Sequence, residues 1–247
     1  MESVYEYRAL LACDIASSAG RGENNLQEIR GVLEAACSAA FRTAGLDWAG
    51  CRRQDTGDGF QLVAPSGIRK QTLLHPVLPD LATRVRAHNR RAPAKVQIRL
   101  RVALHAGEIK LDPDGGFSGA PFEILARLLN AAPVRAALSG APEGVPVAAI
   151  LSQHYGEETI GSGYDAGPDA DAFVPVEVRE KAYVGRAWIH CPGSPIGPQS
   201  AAACLAEHTE ARRTAEVAVQ KNTASGHGRV FAVQSGTMQV DSREGTV

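Results

Sequence analysis

The sequence predicts an α+β fold in which helices cover a mainly antiparallel or mixed sheet. Segments with strand periodicity and segments with helical periodicity follow one another in the order β-α-β-β-α-β-α-β, with a final hairpin. This order lacks the strict alternation that indicates a doubly wound parallel sheet. With 247 residues, 44% of them hydrophobic, the chain is long enough for one domain with a sizeable core.

The first half of the chain predicts two strand and helix units. An apolar run over residues 7–15 predicts a buried strand, and apolar positions from Leu26 recur at helical spacing until Gly45 ends the helix. Two short strand-like pieces within residues 46–62 flank a Gly-rich turn and indicate a hairpin. Residues 74–91 then predict a second helix.

The second half begins with the clearest strand signal. Residues 96–104 alternate apolar and polar side chains, and a turn follows at Asp112–Gly116. The remaining elements predicted are a third helix over residues 121–138, a strand over 145–150, a short helix or turn near Tyr155, and a closing strand pair over 174–178 and 187–189.

Charge and composition argue against several classes of protein. The 26 Lys and Arg residues balance 27 Asp and Glu residues, so no global charge favours nucleic acid or an anionic membrane. The sequence shows no signal peptide and no apolar run approaching the ~20 residues that span a bilayer. The five cysteines form no C-x-x-C pair, which is typical of free thiols in a reducing compartment. We therefore expect a cytoplasmic protein.

The composition changes near residue 193. Pro, Gly, Ala and Ser become frequent, and the last part of the chain is polar. We expect one folded domain over residues 1–192 and a partly disordered C-terminal appendage over residues 193–247. A strand-like segment at residues 229–234 is a candidate for docking on the sheet edge of a partner, such as an effector, and simple disorder is the alternative.

Two aspartates and an arginine form the strongest candidate site. Asp14 ends the first predicted strand and Asp58 lies in the hairpin turn, where two carboxylates can hold Mg²⁺ or Mn²⁺ beside phosphate oxygens. Amides of the small residues Ala16–Ser18 can receive phosphates, and Arg127 can offset negative charge in a transition state. Each residue alone is more often a cap, a turn residue or a surface residue, so the prediction depends on their combination.

Three further residues lie on or just beyond the strand over 96–104. Arg99 and Arg101 alternate with apolar residues, which is typical of a solvated strand face, and phosphate contact is the alternative. A single histidine at His105 is more often a hydrogen-bonded structural residue than a catalytic base.

Four segments resemble, in the right order, the landmarks of the class III adenylate/guanylate cyclase domain. These segments are residues 5–15, 54–60, 99–109 and 119–128. Within the third, Arg-Val-Ala-Leu-His-Ala-Gly-Glu is similar to the strand before that family's dimerisation hairpin. The resemblance covers about residues 5–190 and implies a ferredoxin-like βαββαβ core. The chain also resembles actinobacterial cyclase-like proteins and, more distantly, pyrimidine cyclases of anti-phage signalling.

The resemblance implies a site shared by two copies of the chain. Asp14 and Asp58 match the aspartates that bind two Mg²⁺ or Mn²⁺ ions, and Ile15 would offer its backbone carbonyl to a metal. Arg127 matches the transition-state arginine, which the second subunit of a head-to-tail homodimer would supply. A monomer would then be inactive.

Other positions depart from the family pattern. Gln54 falls at one base-recognising position and Gly116 near the other, and the pair matches neither the adenine nor the guanine pattern. Arg179 or Lys181 lies near the triphosphate-binding lysine. Glu123 replaces the catalytic asparagine four residues before the arginine, and its charge would repel a triphosphate unless it is protonated, metal-bound or turned away.

These features predict a nucleotide cyclase that converts a nucleoside triphosphate to a 3′,5′-cyclic nucleotide and pyrophosphate. The resemblance extends this to a pyrimidine substrate and a role in anti-phage signalling. A nucleotide-binding module without catalysis is the first alternative, motivated by Glu123. A purely structural interaction domain is the second.

Overall fold

A single sheet organises the part of the chain that the structure, a computed structural model, describes, which is residues 2–160 and 169–194. The eight strands found there are β1 (Val4–Ile15), β2 (Arg52–Asp55), β3 (Gly59–Val63), β4 (Leu100–Leu111), β5 (Phe117–Ser118), β6 (Val147–Ser152), β7 (Val174–Glu180) and β8 (Tyr183–His190).

The strands lie in the order β2-β3-β1-β4-β6-β8-β7, and β5 pairs with β4. Only the β4–β6 pair among the described residues is parallel, and the other pairs are antiparallel. The sheet is therefore mainly antiparallel, as the sequence predicts. The long β1–β4 pairing at its centre sets Asp14 opposite Arg101.

Helices cover both faces of this sheet. They are α1 (Glu23–Thr43), α2 (Leu78–Asn89), α3 (Ala120–Leu129), α4 (Ala132–Gly140) and α5 (Gln153–Thr159). Because side chains alternate along a strand, Leu11 and Cys13 of β1 pack on the side of α1 and α2, whereas Leu10 and Ala12 pack on the side of α3 and α4. Two apolar clusters thus enclose the sheet, and Asp14 follows Ala12 onto the α3 and α4 face.

The predicted third helix over residues 121–138 is two helices, so this prediction was wrong in its extent. α3 ends at Leu129 and α4 begins at Ala132, after Ala131 adopts an extended backbone with φ −65° and ψ 142°. Pro133 explains the break, because its ring lacks an N–H group and collides with the carbonyl four residues earlier in a continuous helix.

Two elements, β4 and α2, start later in the structure than the sequence predicts. β4 starts at Leu100 rather than at residue 96, because the backbone of Ile98 bonds the side chain of Asn89 instead of a neighbouring strand. The regular helix α2 starts at Leu78 rather than at residue 74. There, His75 is extended (φ −147°, ψ 124°) ahead of Pro76, as residues before proline usually are.

Helix α3 rests very close to the sheet. A Cβ atom on Gly107 of β4 would lie 2.6 Å from Cγ of Pro121, in the first turn of α3. The glycine therefore permits a contact that any side chain would prevent.

Residues 195–247 lie outside the described residues, and with them nearly all of the predicted appendage. The division at residue 192 accordingly stays a prediction. No helix among the described residues is both long enough and apolar enough to cross a bilayer.

Candidate functional site

The structure brings the two predicted metal aspartates together. Asp14, at the end of β1, lies opposite Gly59, the first residue of β3, and Asp58 immediately precedes that glycine. The amide of Ile15 donates a hydrogen bond of 2.9 Å to the carbonyl of Asp58. The two carboxylates are thus carried by adjacent strand ends that the backbone ties directly to each other.

Gly59 makes this close approach possible. A Cβ atom at this position would lie 1.8 Å from the carbonyl oxygen of Cys13 and 2.7 Å from Cα of Asp14. Both obstacles are backbone atoms, which cannot rotate away as a side chain does. The Gly-Asp-Gly sequence of the turn therefore has a structural reason in addition to its carboxylate.

Arg101 is the principal partner of Asp14. Its Nε donates to Oδ1 at 2.8 Å and its Nη2 to Oδ2 at 2.5 Å, a two-point ion pair. Asp14 is only 6% exposed, and burial raises the pKa of its carboxyl above the usual range. The Arg101 guanidinium lowers that pKa, and the charge of Asp58 raises it again. The effect of Asp58 reflects the proximity of the two acids.

Asp58 is more accessible than Asp14. It is half-buried, and the hydroxyl of Ser18 donates to its Oδ2 at 3.3 Å. The loop after β1 therefore folds back towards the second carboxylate, which makes it suitable for phosphate oxygens beside a metal.

The amides of this loop are not all available. The amide of Ala16 donates to the carbonyl of Arg99 at 2.8 Å, so it cannot also bind a phosphate. Ser17 has a positive φ of 54°, which turns the chain sharply after β1. Ser17 and Ser18 are thus the loop amides that remain for a phosphate, two of the three that the sequence suggests.

Gln54 lies on the same sheet face as Asp14. It pairs with Gln61 in the β2–β3 ladder and is exposed. Arg52, two residues earlier on that face, donates from Nη1 to the carbonyls of Asp112 (2.7 Å) and Gly116 (2.9 Å). The strand of Gln54 and the turn that ends at Gly116 are therefore tied together.

Sequence reasoning missed Arg52. The available signal was its two-residue offset from Gln54, which places both side chains on one strand face.

Glu123 and Arg127 lie one helical turn apart on α3. Glu123 is exposed and Arg127 is half-buried. Arg127 belongs to the last turn of its helix, because the helix ends at Leu129. No hydrogen bond or ion pair within residues 2–160 and 169–194 joins either side chain to Asp14.

Arg179 and Lys181 lie at the far edge of the sheet. Both are exposed, and Arg179 makes an ion pair of 3.4 Å with Glu177 in β7. Four strand spacings, roughly 19 Å, separate β7 from β1. These two residues therefore cannot bind the same phosphate as Asp14 of their own chain without a large rearrangement.

His105 is a structural residue in this fold. It is buried within β4, and its Nδ1 lies 2.7 Å from Oγ of Ser152. Burial lowers its pKa to about 4, with a smaller contribution from His154. The imidazole is therefore neutral near pH 7.

The carboxylates of Asp14 and Asp58 are the side chains of the site that could bind a metal ion. Within the described ranges no cluster of three or more His, Cys, Asp or Glu side chains is arranged to hold a metal ion. Any cation at Asp14 and Asp58 would therefore need further oxygen ligands from outside the chain, such as phosphate and water.

The fold matches those of solved nucleotide cyclases. An adenylate/guanylate cyclase/hydrolase from Silicibacter pomeroyi is 19% identical with a TM-score of 0.52, over 77% of this chain and 99% of that chain. The catalytic core of a rhodopsin-guanylyl cyclase with converted specificity, in complex with ATPαS, is 14% identical with a TM-score of 0.53, over 77% and 99%. The guanylyl cyclase Cya2 is 13% identical with a TM-score of 0.52, over 76% and 92%.

No protein-family model matches the chain, and no curated protein is similar to it in sequence. At the low identities of the structural matches, the likeness establishes the fold and not the activity. The predicted fold class, an α+β cyclase-type domain with a mainly antiparallel sheet covered by helices, is confirmed.

Proposed function

We propose that this protein is a nucleotide cyclase that converts a nucleoside triphosphate to a 3′,5′-cyclic nucleotide and pyrophosphate. The observation that supports this most directly is the carboxylate pair of Asp14 and Asp58 on adjacent strand ends. The pair occurs in a fold that the chain shares with solved cyclases. On the basis of the resemblance, we also propose that the substrate is a pyrimidine nucleotide and that the cyclic product is a signal in anti-phage defence.

The residues present fit Mg²⁺ or Mn²⁺ bound together with a substrate. Such ions use one or two protein carboxylates and complete their shell with phosphate oxygens and water. Asp14 and Asp58 would hold two ions, and the carbonyl of Ile15 would add a ligand. Burial is the main reason that the pKa of Asp14 is raised, and the charge of Asp58 raises it further. The repulsion between the two acids favours a cation between them. Bound metal would supply Lewis-acid activation of the ribose 3′-hydroxyl and of the phosphates.

The residues of the chain orient the reactants. The 3′-oxygen forms a bond to the α-phosphorus, the bond from that phosphorus to the bridging oxygen breaks, and pyrophosphate leaves while the hydroxyl proton passes to water. The amides of Ser17 and Ser18 would receive phosphate oxygens. Arg101 donates to both oxygens of Asp14 and would hold this carboxylate in a fixed orientation beside a metal, which can use the remaining lone pairs.

A second copy of the chain would complete the site. Arg179 and Lys181 lie at the far sheet edge of their own chain. No hydrogen bond or ion pair in the described part of the chain joins Glu123 or Arg127 to Asp14. In a head-to-tail homodimer, Arg127 of one copy would stabilise the charge that develops on the α-phosphate held by the other. Arg179 or Lys181 would then contact the terminal phosphates.

Complementation between two inactive variants tests this arrangement. Each of the four common nucleoside triphosphates is incubated with the purified protein and Mn²⁺, and cyclic product is measured by mass spectrometry. Asp58→Asn and Arg127→Ala each abolish turnover. When the two variants are mixed, half of the dimers are mixed and each carries one intact site, so about one quarter of wild-type activity returns.

Two results would contradict the proposal. One is the lack of cyclic product from all four nucleotides with a folded dimer. The other is full activity of Asp58→Asn, the variant that removes the more accessible acid.

Glu123 motivates a second candidate function, a nucleotide-binding module without catalysis. Its exposed carboxylate, one turn before Arg127, would lie near the triphosphate and repel it. Metal-dependent binding of nucleotide without turnover would favour this function. For both candidate functions, cyclase and nucleotide-binding module, we propose that the C-terminal region over 193–247 contacts an effector.

A further inference from the structure

Arg52 holds an unusual position beside the candidate base site. Its Nη1 donates to two backbone carbonyls, those of Asp112 and Gly116, at 2.7 and 2.9 Å. Both hydrogens of this nitrogen are thereby used. Nε and Nη2 make no hydrogen bond within the described part of the chain. The guanidinium is therefore anchored at one end and keeps three free N–H groups at the other.

The side chain lies on the sheet face that carries the carboxylate pair. Arg52 pairs with Val63, which packs on the α3 and α4 side, and Asp14 occupies that same side. Arg53 lies on the opposite face, where its guanidinium is 4.4 Å from the ring centre of Trp48. The two neighbouring arginines thus have different surroundings, and only Arg52 faces the proposed nucleotide.

Gly116 leaves the recognition of the base to its neighbours. It has no side chain, and its carbonyl already accepts from Arg52. Gln54 presents an amide that donates and accepts equally well, so it does not select a base by itself. The guanidinium of Arg52, on the strand of Gln54 and bonded to the carbonyl of Gly116, is a fixed cationic group at these two positions.

We propose that Arg52 recognises the base and selects one that carries a ring carbonyl, namely guanine, uracil or cytosine, over adenine. A guanidinium only donates hydrogen bonds, so it pairs well with the ring carbonyl of guanine, uracil or cytosine, whereas adenine has no ring carbonyl and offers it only ring nitrogens. This inference depends on the proposed function, because it places the nucleotide base beside Gln54 and Gly116.

The test compares Arg52→Met with Arg53→Met as a matched control on the other face of β2. Methionine keeps the unbranched shape of the side chain and removes every donor. For each protein, kcat/KM is measured with ATP, GTP, UTP and CTP. The wild type is expected to prefer a carbonyl-bearing base over ATP by about tenfold or more, the effect of one good base contact. Arg52→Met lowers this ratio by about tenfold, and Arg53→Met leaves it unchanged.

A purely structural role gives a different result. If Arg52 only holds the turn, Arg52→Met reduces turnover equally with all four nucleotides and the ratio stays constant, which overturns the inference. ATP as the best wild-type substrate overturns it as well.

A lack of turnover in the wild type would refute catalysis and still leave base recognition open to measurement. In that case the affinities of the four α,β-methylene nucleotide analogues with Mn²⁺ are measured by calorimetry for the same three proteins. The expected preference for a carbonyl-bearing base over adenine, and its loss in Arg52→Met, are the same for affinity as for kcat/KM. Equal affinities for all four analogues, or no binding at all, overturn the inference.

Discussion

Replacement of Arg101 by methionine leaves the carboxylate of Asp14 buried without its partner. The side chain of Arg101 is 15% exposed and that of Asp14 is 8% exposed, and the guanidinium donates a hydrogen bond to each carboxylate oxygen. Methionine preserves most of the apolar stem, so the change removes the charge and the two hydrogen bonds but little of the packing.

The expected cost follows from this burial. Removal of one partner of a buried ion pair costs about 3–5 kcal/mol, because the other charge remains desolvated. The lower end, about 3 kcal/mol, applies here because the pair lies at a strand end, and for a domain of this size it lowers Tm by about 6–12 °C. Replacement of both members, Asp14→Asn with Arg101→Met, removes the unpaired charge and restores most of the loss.

The pH dependence distinguishes a charge effect from a packing effect. Arg101 lowers the pKa of Asp14, so its removal raises this pKa further above that of the unfolded chain. The folded variant then binds a proton that the unfolded chain does not, and its deficit is largest at high pH and shrinks as the pH falls.

Urea unfolding of the wild type and of Arg101→Met at pH 8 and pH 5 measures the effect. A deficit that is equal at both pH values would refute the reasoning, as would a double variant no more stable than Arg101→Met alone.

Three other perturbations, the first with a glycine control in α1, have defined outcomes. Gly59→Ala is expected to cost more than about 3 kcal/mol in chemical unfolding, because the new methyl group collides with backbone atoms of β1. Gly31→Ala, on the exposed side of α1 with open space around it, instead stabilises the protein by about 0.5–1 kcal/mol. Burial lowers the pKa of His105 to about 4, so wild-type stability falls as the pH drops from 6.5 to 4, and His105→Asn removes about 3 kcal/mol of that fall. Glu123→Asn raises turnover about tenfold or more if its charge repels the triphosphate, with an unchanged Tm because the residue is exposed.

Each of these outcomes has a clear contradiction. A stable Gly59→Ala variant would mean that the two strand ends separate easily. Identical pH profiles of the wild type and His105→Asn would mean that folding leaves the pKa of this imidazole unchanged. Unchanged turnover in Glu123→Asn would show that the carboxylate points away from the phosphates.

The periodicity of apolar residues and the residues typical of turns were sufficient to predict most of the strands and helices. The two-residue alternation of β4 and the helical spacing of α1 both reflect one buried face, which a sequence records directly. The Gly-rich turn before β3 also predicted the hairpin that carries Asp58. These signals are local in the chain, and local signals survive in a single sequence.

The partners of the site residues were harder to predict. Arg101 looked like part of a solvated strand face, whereas its ion pair with Asp14 joins residues 87 positions apart. Arg52 likewise reaches a turn 60 residues away. Such pairings depend on strand register and on the bend of a hairpin, and neither leaves a local pattern in the sequence.

The glycine beneath α3 has a consequence for the arginine that the helix carries. Arg127 lies six residues beyond Pro121, about 9 Å along the helix axis. A bulkier residue at position 107 would lift the first turn of α3 and tilt the helix. Arg127 would then be displaced although no residue beside it had been replaced. In the proposed homodimer, the position of that guanidinium therefore depends on the absence of a side chain at Gly107. Among relatives of this chain, positions 107 and 121 are expected to change together, with proline absent wherever the strand residue is larger.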